Sequence, residues 1–340
     1  MRETAVVILN WNGLAHLKSF LPLLVERTPR DNVSIVVADN NSDDGSVIWL
    51  KGSYPQIRVI ELKENYGFAG GYNRAIGQIE ATNIVLINSD IEVTDGWLEP
   101  LTTELRNNPE TAATQPKILS YNNPGKFEHA GAAGGFLDRN GYPFCRGRIL
   151  SHTETDTGQY NQSIEVSWTS GACMAIRREA FIKAGGFDDD FFAHMEEIDL
   201  CWRLKSMGYM LSFNPESTVY HVGGGTLPYN SPFKVYLNFR NSLFMLYKNL
   251  PKGYLYRKLI SRMILDGGAA LAFLAQGKPS LFAAVFKAHI HFWRQIKELK
   301  LKRVETIKLN TSKSAKMLIS KSILFRYYFL GERTYNQIMR

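Results

Sequence analysis

The sequence predicts an α/β fold with a doubly wound, mostly parallel sheet, followed by a helical extension. Short apolar runs alternate with segments of helical periodicity, which is the pattern of repeated strand–helix units. Several runs stop abruptly at a polar cluster, as in residues 84–90, Ile-Val-Leu-Ile-Asn-Ser-Asp. The composition changes near residue 231, and the chain beyond that point predicts helices.

The composition is that of a globular protein, because 45% of the 340 residues are hydrophobic and 21% are charged. The cysteines, Cys145, Cys173 and Cys201, are odd in number and lack a Cys-x-x-Cys spacing. This argues against a disulfide framework and a structural zinc site, and it favours a reducing compartment. The apolar stretch at residues 5–9 is too short for a signal peptide.

The positive charge is concentrated near the C-terminus. The net charge is +8, yet residues 287–326 contain eleven lysines and arginines against two glutamates, so the rest of the chain is close to neutral. An anionic partner is therefore expected at this segment. The apolar stretches before it are interrupted and fall short of the roughly 20 residues of a membrane-spanning helix. Helices on an anionic membrane surface and a solvated bundle with a charged outer face explain the pattern equally well.

Four apolar runs predict buried strands in the first part of the chain, at residues 5–9, 33–38, 57–62 and 84–87. Right-handed crossovers place successive strand ends at one edge of the sheet, where ligands bind in α/β folds. Asp39, Asn41, the glycine-rich loop 67–71 and Asp90 are expected in that crevice. The glycine-rich loop suits phosphate but lacks the spacing of dinucleotide-binding and P-loop motifs.

The later elements are less regular. The pattern predicts a helix at residues 96–107, a strand at 111–120, irregular structure over 121–160 and strand character at 165–176. Further strands are expected at 209–213 and 218–220, and the second ends at His221 and a tight, ligand-facing loop at 222–226. An amphipathic helix is expected at 233–250. We expect two domains, residues 1–230 and 231–340.

A group of acids begins a predicted helix at Glu196. Carboxylates in the first turn suit the helix dipole, and Asp199 can pair with Arg203 one turn later. This structural explanation accounts for one of the acids but not for the whole group. A catalytic role for the others is therefore considered.

Taken in order, these segments resemble the inverting family 2 glycosyltransferases of the GT-A fold, and most of all the rhamnosyltransferase-type members that build bacterial surface polysaccharides. The likeness covers about residues 4–250. It is carried by residues 6–13, 37–46, 65–74, 85–90, 171–203 and 221–226. The segments 65–74 and 185–203 are the specific ones. The resemblance implies a nucleotide-diphospho-sugar transferase domain with a mixed sheet.

The resemblance implies roles for individual residues. Asn10 and Asp39 would face the nucleotide base and ribose. The diphosphate and donor sugar would be lined by Asn65, Gly67, Gly71, Asn73, Asn88 and Ser89. Asp90, as the one acid of a DxD-type signature, would hold Mg²⁺ or Mn²⁺ together with His221. Glu197 occupies the position of the general base, where the family has Asp, and Glu196 and Asp199 remain alternatives.

The function implied is inverting transfer of a sugar from a dTDP-rhamnose or UDP-hexose type donor to a glycan or lipid-linked acceptor. Such an enzyme would serve cell-surface polysaccharide synthesis, in the cytoplasm or on the inner face of the membrane, and a homo-oligomer is left open. The alternative is a catalytically silent relative that scaffolds a membrane assembly complex. A sugar-nucleotide pyrophosphorylase would need a basic, glycine-rich loop after the first strand, where this chain has Asn10-Trp11-Asn12-Gly13. A nucleic-acid binder is disfavoured because the basic tail carries no known motif.

Overall fold

A computed structural model describes residues 2–223, 231–310 and 317–340. The first part alternates strands with helices: β1 (Arg2–Asn10), α1 (Leu14–Arg27), β2 (Val33–Asp39), α2 (Ser46–Ser53), β3 (Arg58–Glu61), α3 (Gly67–Ile76), β4 (Ala81–Asn88), β5 (Ile91–Val93), α4 (Glu99–Asn107) and β6 (Thr111–Ser120). The middle part follows: β7 (Gly135–Leu137), β8 (Pro143–Cys145), β9 (Arg148–Ile149), β10 (His152–Thr153), β11 (Ile164–Glu165), β12 (Cys173–Arg177), α5 (Arg178–Lys183), α6 (Glu196–Ser206) and β13 (Met210–His221). The last part is helical: α7 (Pro232–Asn249), α8 (Leu255–Ala275), α9 (Pro279–Arg294), α10 (Ile296–Lys308), α11 (Ile323–Phe329) and α12 (Tyr335–Met339).

A mixed sheet forms the centre of the molecule, with strand order β11-β13-β6-β12-β4-β1-β2-β3 and β5 paired to β13. Strands β3, β2, β1 and β4 are parallel neighbours. Strand β12 is antiparallel to both β4 and β6, which makes the sheet mixed. The predicted doubly wound mixed sheet with a C-terminal helical extension is therefore confirmed.

The core lies on both faces of this sheet. Along β1, Ala5 and Val7 belong to a cluster that also contains residues of α3 and α6. The alternate residues Val6 and Ile8 belong to a second cluster with α1 and α4. Because successive side chains of a strand point to opposite faces, the strand is covered by helices on both sides. This explains why the central strands are continuous apolar runs in the sequence.

Two predictions about the middle of the chain were wrong. Residues 121–160 are not irregular throughout, since β7 to β10 form a second, antiparallel sheet. Their lengths of two or three residues leave no periodicity to detect. The two strands expected at 209–213 and 218–220 are the single strand β13, whose register with β6 shifts between Asn214 and Thr218. Pro215 lies in that interruption and has no N–H to donate, which explains the broken pattern.

The C-terminal helices pack on the same core as the sheet. Residues from α7, α9, α11 and α12, including Phe244, Phe292, Ile323 and Ile338, share a cluster with residues of β1 and β4. The division at residue 230 stays a prediction, and the hydrophobic core is continuous across it. Among the described helices, none is both long and apolar enough to cross a membrane.

Candidate active site

The carboxyl ends of three neighbouring strands form the edge at which the polar clusters meet. Asn10 at the end of β1 is in register with Asp39 at the end of β2. On the other side of β1, Leu9 is in register with Asn88 at the end of β4. The structure thus brings three of the predicted site residues to one crevice. Parallel pairing produces this arrangement, since it aligns the strand ends.

Asn10 and Asp39 form a buried pair at the floor of the crevice. Asn10 Nδ2 donates to Asp39 Oδ2 at 2.9 Å, and the N–H of Ser42 donates to Asp39 Oδ1 at 2.8 Å. Both carboxylate oxygens of Asp39 are thus engaged within the protein, one with Asn10 and one with the loop that follows β2. Asn10 Oδ1 is buried and has no hydrogen-bond partner within the described part of the chain. Asn41 is exposed at φ 65° in the loop that follows.

The loop at residues 65–67 is organised by Asn40, a residue that the sequence analysis did not single out. Asn40 Nδ2 donates to Asn65 Oδ1 at 2.9 Å and to the carbonyl of Gly67 at 3.0 Å. Asn40 Oδ1 accepts from the N–H of Tyr66 at 3.1 Å. The signal was present, because Asn40 belongs to the polar cluster that ends β2.

The predicted donor-lining residues of α3 are engaged in packing. Gly67 has φ 69°, and a Cβ there would lie 2.5 Å from Phe192; a Cβ on Gly71 would lie 2.8 Å from Leu9. Asn73 Nδ2 donates to the carbonyl of Phe187 at 2.8 Å, and Asn73 Oδ1 accepts from the N–H of the same residue at 2.9 Å. These contacts tie α3 to β1 and to the segment before α6. Their contact with a donor stays a prediction.

Asp90 and His221 lie side by side. The antiparallel pairing of β5 with β13 sets Ile91 opposite His221, next to Asp90. His221 Nε2 is 3.1 Å from Asp90 Oδ1 and 3.4 Å from Asn88 Nδ2. Ser89 lies between Asn88 and Asp90 and is partly buried. Residues 224–226 of the expected ligand-facing loop lie outside the described residues.

A second carboxylate, Glu128, faces the other ring nitrogen of His221. Its Oε2 is 3.4 Å from His221 Nδ1, and its side chain is buried. Burial lowers the pKa of His221, but the hydrogen bonds and charges of Asp90 and Glu128 outweigh this effect and raise the pKa to about 10. For Asp90 the effect of burial has the opposite sign, since burial raises the pKa of a carboxyl group. The hydrogen bond and charge of His221 outweigh it, so the pKa of Asp90 lies below its ordinary value. Glu128 lies in the stretch that was expected to be irregular, and no sequence pattern marked it.

The segment before α6 has an unusual backbone. Phe192, His194 and Met195 have φ values of 62°, 70° and 74°, a left-handed conformation that residues other than glycine rarely adopt. Asn241 of α7 holds this segment, since its Nδ2 donates to the carbonyls of Phe191, Ala193 and His194 at 2.9, 2.9 and 2.7 Å. Asn241, which belongs to the predicted C-terminal domain, thus supports the backbone at the start of α6. No local pattern in the sequence indicates this contact.

Glu196 and Glu197 begin α6 directly after that segment. Glu196 is buried, and Glu197 is partly buried. Neither Glu196 Oε2 nor Glu197 Oε2 has a hydrogen-bond partner within residues 2–223, 231–310 and 317–340. Burial raises the pKa of Glu197 to about 7. Burial, followed by the charges of Glu197 and Asp199, raises the pKa of Glu196 well above its ordinary value.

Asp199 occupies a different environment from Glu196 and Glu197. Its side chain is fully buried, and Arg203 Nε and Lys248 Nζ donate to its Oδ2 at 3.0 and 2.8 Å. Asn249 Nδ2 donates to its Oδ1 at 2.7 Å. The predicted pairing with Arg203 is confirmed. An enclosed carboxylate that two cations already neutralise is poorly placed to accept a proton from a substrate, and the choice of base among the three acids stays a prediction.

A short set of contacts connects Glu197 to the strand-end crevice. The N–H of Asn88 donates to the carbonyl of Ala172 at 2.9 Å. A Cβ on the neighbouring Gly171 would lie 3.1 Å from the Phe68 ring and 3.6 Å from Glu197 Cβ. Glu197 and the end of β4 are therefore separated by one backbone segment. This places Glu197 near the strand ends, where Asn88 precedes Asp90 in the chain.

This combination of fold and site is that of a nucleotide-diphospho-sugar transferase of the GT-A fold. The chain belongs to glycosyl transferase family 2, whose family model matches residues 5–185. It is a glycosyltransferase, as the resemblance implied.

Individual relatives agree with this family. The chain is 28% identical over 232 residues to the N-acetylglucosaminyl-diphospho-decaprenol L-rhamnosyltransferase of Mycobacterium tuberculosis, which covers 64% of this chain and 75% of that protein. Among solved structures, GalNAc-T7 with UDP, GalNAc and Mn²⁺ superposes with a TM-score of 0.61 at 16% identity. That match covers 93% of this chain, which spans 57% of the GalNAc-T7 chain. S. aureus TarS 1–349 superposes with a TM-score of 0.55 at 13% identity, covering 91% of this chain and 89% of that one.

Proposed function

We propose that the protein is an inverting, metal-dependent glycosyltransferase that moves a sugar from a dTDP-rhamnose or UDP-hexose type donor to a hydroxyl of a glycan or lipid-linked acceptor. The observation that carries the proposal is that Glu197, one of whose carboxylate oxygens lacks a partner in the described chain, lies one backbone segment from the end of β4, beyond which Asp90 contacts His221. The name of the similar mycobacterial enzyme supports a rhamnose donor and a lipid-linked acceptor. The enzyme would serve cell-surface polysaccharide synthesis from the cytoplasmic side of the membrane.

Asp90 and His221 would hold a divalent cation, and binding would require the His221 ring to lose the proton that Asp90 and Glu128 stabilise, because a histidine ligates a metal in its neutral form. In the described ranges no group of three or more His, Cys, Asp or Glu residues could hold a metal ion. Mg²⁺ and Mn²⁺ in phosphate-binding sites use one or two carboxylates and complete their shell with phosphate oxygens, so these two side chains suffice. The imidazole favours Mn²⁺ over Mg²⁺. When bound, the cation would offset the charge that develops on the departing diphosphate.

Glu197 is the proposed general base. It accepts the proton of the acceptor hydroxyl as that oxygen forms a bond to the anomeric carbon, while the bond to the diphosphate breaks. A single displacement of this kind inverts the anomeric carbon and needs no enzyme nucleophile. The raised pKa of about 7 makes the carboxylate a stronger base than an exposed glutamate at neutral pH. Glu196, the preceding residue, is buried and would act through its charge on Glu197 rather than on the acceptor.

The remaining roles concern the donor. Asn10 Oδ1, which lacks a partner in the described chain, and the exposed Asn41 would contact the base or ribose, and Asp39 would hold the loop between them. The segment from Asn65 to Asn73 would border the diphosphate through backbone N–H groups at the start of α3. Asn88 and Ser89 would contact the donor beside the cation.

The acceptor would be reached at a membrane. We propose that the basic segment, residues 287–326, attracts anionic lipids, since it carries eleven lysines and arginines against two glutamates. Exposed charges are screened by salt, so the attraction should weaken as ionic strength rises.

The proposed function is tested by screening nucleotide sugars for turnover by the purified protein with Mg²⁺ or Mn²⁺. We expect one donor of the dTDP or UDP class to be consumed, and Asp90→Ala to abolish the metal-dependent rate. Asp31→Ala is the matched control, because Asp31 is exposed in the loop before β2. Turnover by Asp90→Ala with unchanged metal dependence would remove Asp90 from the mechanism. A folded wild-type protein that consumes no donor would favour the silent scaffold.

A further inference from the structure

The outer surface of α8 is apolar. Tyr256, Ile260, Ile264 and Leu271 are 64%, 59%, 69% and 63% exposed. Their spacing of four, four and seven residues places them along one side of the helix. The residues of α8 that face the core are different ones: Leu255, Leu259, Arg262, Asp266 and Ala270. A helix surrounded only by water and protein would carry polar side chains along its exposed side.

Helix α9 extends this apolar surface. Its exposed residues Phe286, Ile290 and Trp293 follow the spacing of one helix face. An open groove of about 530 Å³ lies between the two helices, and Ile264, Leu271 and Phe286 line it. The exposed residues of both helices thus form one surface, the α8–α9 face: Tyr256, Ile260, Ile264, Leu271, Phe286, Ile290 and Trp293.

Gly267 leaves the groove deeper than an alanine would, although there is room for a Cβ at this position. Gly267 lines the groove, and a Cβ placed on it would meet no atom within 4 Å. Glycine within a helix is unfavourable compared with alanine. No described residue fills the space beside Gly267, so a side chain or lipid from outside could enter it.

The charges around the α8–α9 face have one sign. Between residues 252 and 297 the sole acid is Asp266, which is fully buried. Its Oδ1 accepts from Arg262 Nε at 2.7 Å and from the Tyr142 hydroxyl at 2.9 Å. The exposed charges of α9 and of Lys278 before it are all basic, at Lys278, Lys287 and Arg294; the nearest exposed acid after them is Glu298 in α10. The outer surface is thus not the charged one that a solvated bundle would show.

We propose that the α8–α9 face docks on an anionic lipid bilayer, with its apolar side chains at the boundary of the acyl chains and its basic side chains at the lipid phosphates. This deepens the membrane part of the proposed function by assigning the contact to apolar residues of two helices. Trp293 and Tyr256 suit such a boundary, because aromatic side chains are enriched there.

A second copy of the chain fits this face less well. In a two-fold symmetric contact the same residues of both copies meet, so the basic rims would lie against each other. Like charges repel, and α8 and α9 themselves offer no exposed acid to compensate, since Glu298 and Glu305 belong to α10. Anionic lipid headgroups supply the opposite charge, which is why the bilayer is the occupant we assign.

The test is co-sedimentation of the full-length protein with vesicles of phosphatidylcholine, with and without phosphatidylglycerol. The double variant Ile264→Gln/Phe286→Gln removes apolar side chains without changing charge. We expect it to weaken binding by roughly 100-fold, because each side chain taken out of water contributes about one tenfold step. Ile48→Gln is the matched control, since Ile48 is 81% exposed on α2. It should bind as the wild type does.

Far-UV circular dichroism and a melting curve establish that each variant is folded. A second measurement needs no disruptive change: quenching by brominated lipids should be stronger in the wild type than in Trp293→Phe. Absence of wild-type binding to phosphatidylglycerol vesicles at low salt would overturn the proposal. So would an equal loss in Ile48→Gln, or self-association without lipid that the double variant abolishes. Vesicle binding is measured without donor or acceptor, so its failure leaves the proposal of sugar transfer intact.

Discussion

Replacement of Glu197 by glutamine tests the centre of the mechanism. The substitution keeps the size of the side chain and removes its ability to accept a proton. General base catalysis typically contributes ~10²–10⁴-fold to a rate, so we expect kcat for the preferred donor to fall by that factor. The Kd of the donor should stay nearly unchanged, because Glu197 is assigned to the acceptor hydroxyl. Isothermal titration and initial rates measure the two quantities separately.

The dependence of kcat on pH tests the same assignment, because the pKa of Glu197 determines the pH at which activity should be lost. Burial raises the pKa of Glu197 to about 7. A base acts in its deprotonated form, so activity is present above this pKa and is lost as the pH falls through it. About half of the carboxyl groups are ionised at pH 7 and about a tenth at pH 6, which predicts a roughly fivefold fall in kcat over that unit and a nearly tenfold fall per unit below about pH 6. The residual activity of Glu197→Gln should lack this acid limb.

The neighbouring acid supplies the control. Glu196→Gln should lower kcat less, because Glu196 is buried and Glu197 is the residue assigned to the acceptor hydroxyl. It should also move the acid limb of the profile only modestly, since burial is the main cause of the raised pKa of Glu197. If Glu196→Gln is inactive while Glu197→Gln retains its rate, the assignment of the base is refuted. If both variants keep full activity, the base lies elsewhere.

Three further substitutions test the surroundings of the site. Asn241→Ala should lower the free energy of unfolding in urea by roughly 2–4 kcal/mol, because three hydrogen bonds to carbonyls before α6 are lost. Asp199→Asn should lower the same quantity by roughly 3–5 kcal/mol, since Arg203 and Lys248 lose a buried counter-charge, with kcat of the folded fraction largely kept. Glu128→Gln should lower the pKa of His221 in an NMR titration, because one of two carboxylates that hold its proton becomes neutral.

Each of these expectations has an outcome that contradicts it. Unchanged stability of Asn241→Ala would show that the left-handed segment before α6 needs no support from α7. An inactive but stable Asp199→Asn would return Asp199 to the list of catalytic acids. An unchanged His221 titration in Glu128→Gln would leave Asp90 as the one carboxylate that determines the charge of the imidazole.

The sequence alone determined the central sheet and the crevice at its edge. Strands β1, β2 and β4 are apolar runs because they are covered on both faces, and each ends in a polar cluster because the chain reaches solvent there. These are local signals, readable from residues that follow one another. Parallel pairing then follows from the alternation of strands and helices, and it brings Asn10, Asp39 and Asn88 together.

The tertiary structure alone decided the parts of the site that depend on distant residues. Glu128 approaches His221 from 93 positions away in the chain, and Asn241 reaches the segment before α6 from 48. The tertiary structure also gives Asp199 and Glu197 different surroundings, although they are two positions apart. Asp199 is enclosed by Arg203 and Lys248, whereas Glu197 is partly exposed. Hydrophobic periodicity describes which side of an element is buried, but not which polar group of another element meets it. That choice is made by packing, and it determines which acid is neutralised and which remains available to a substrate.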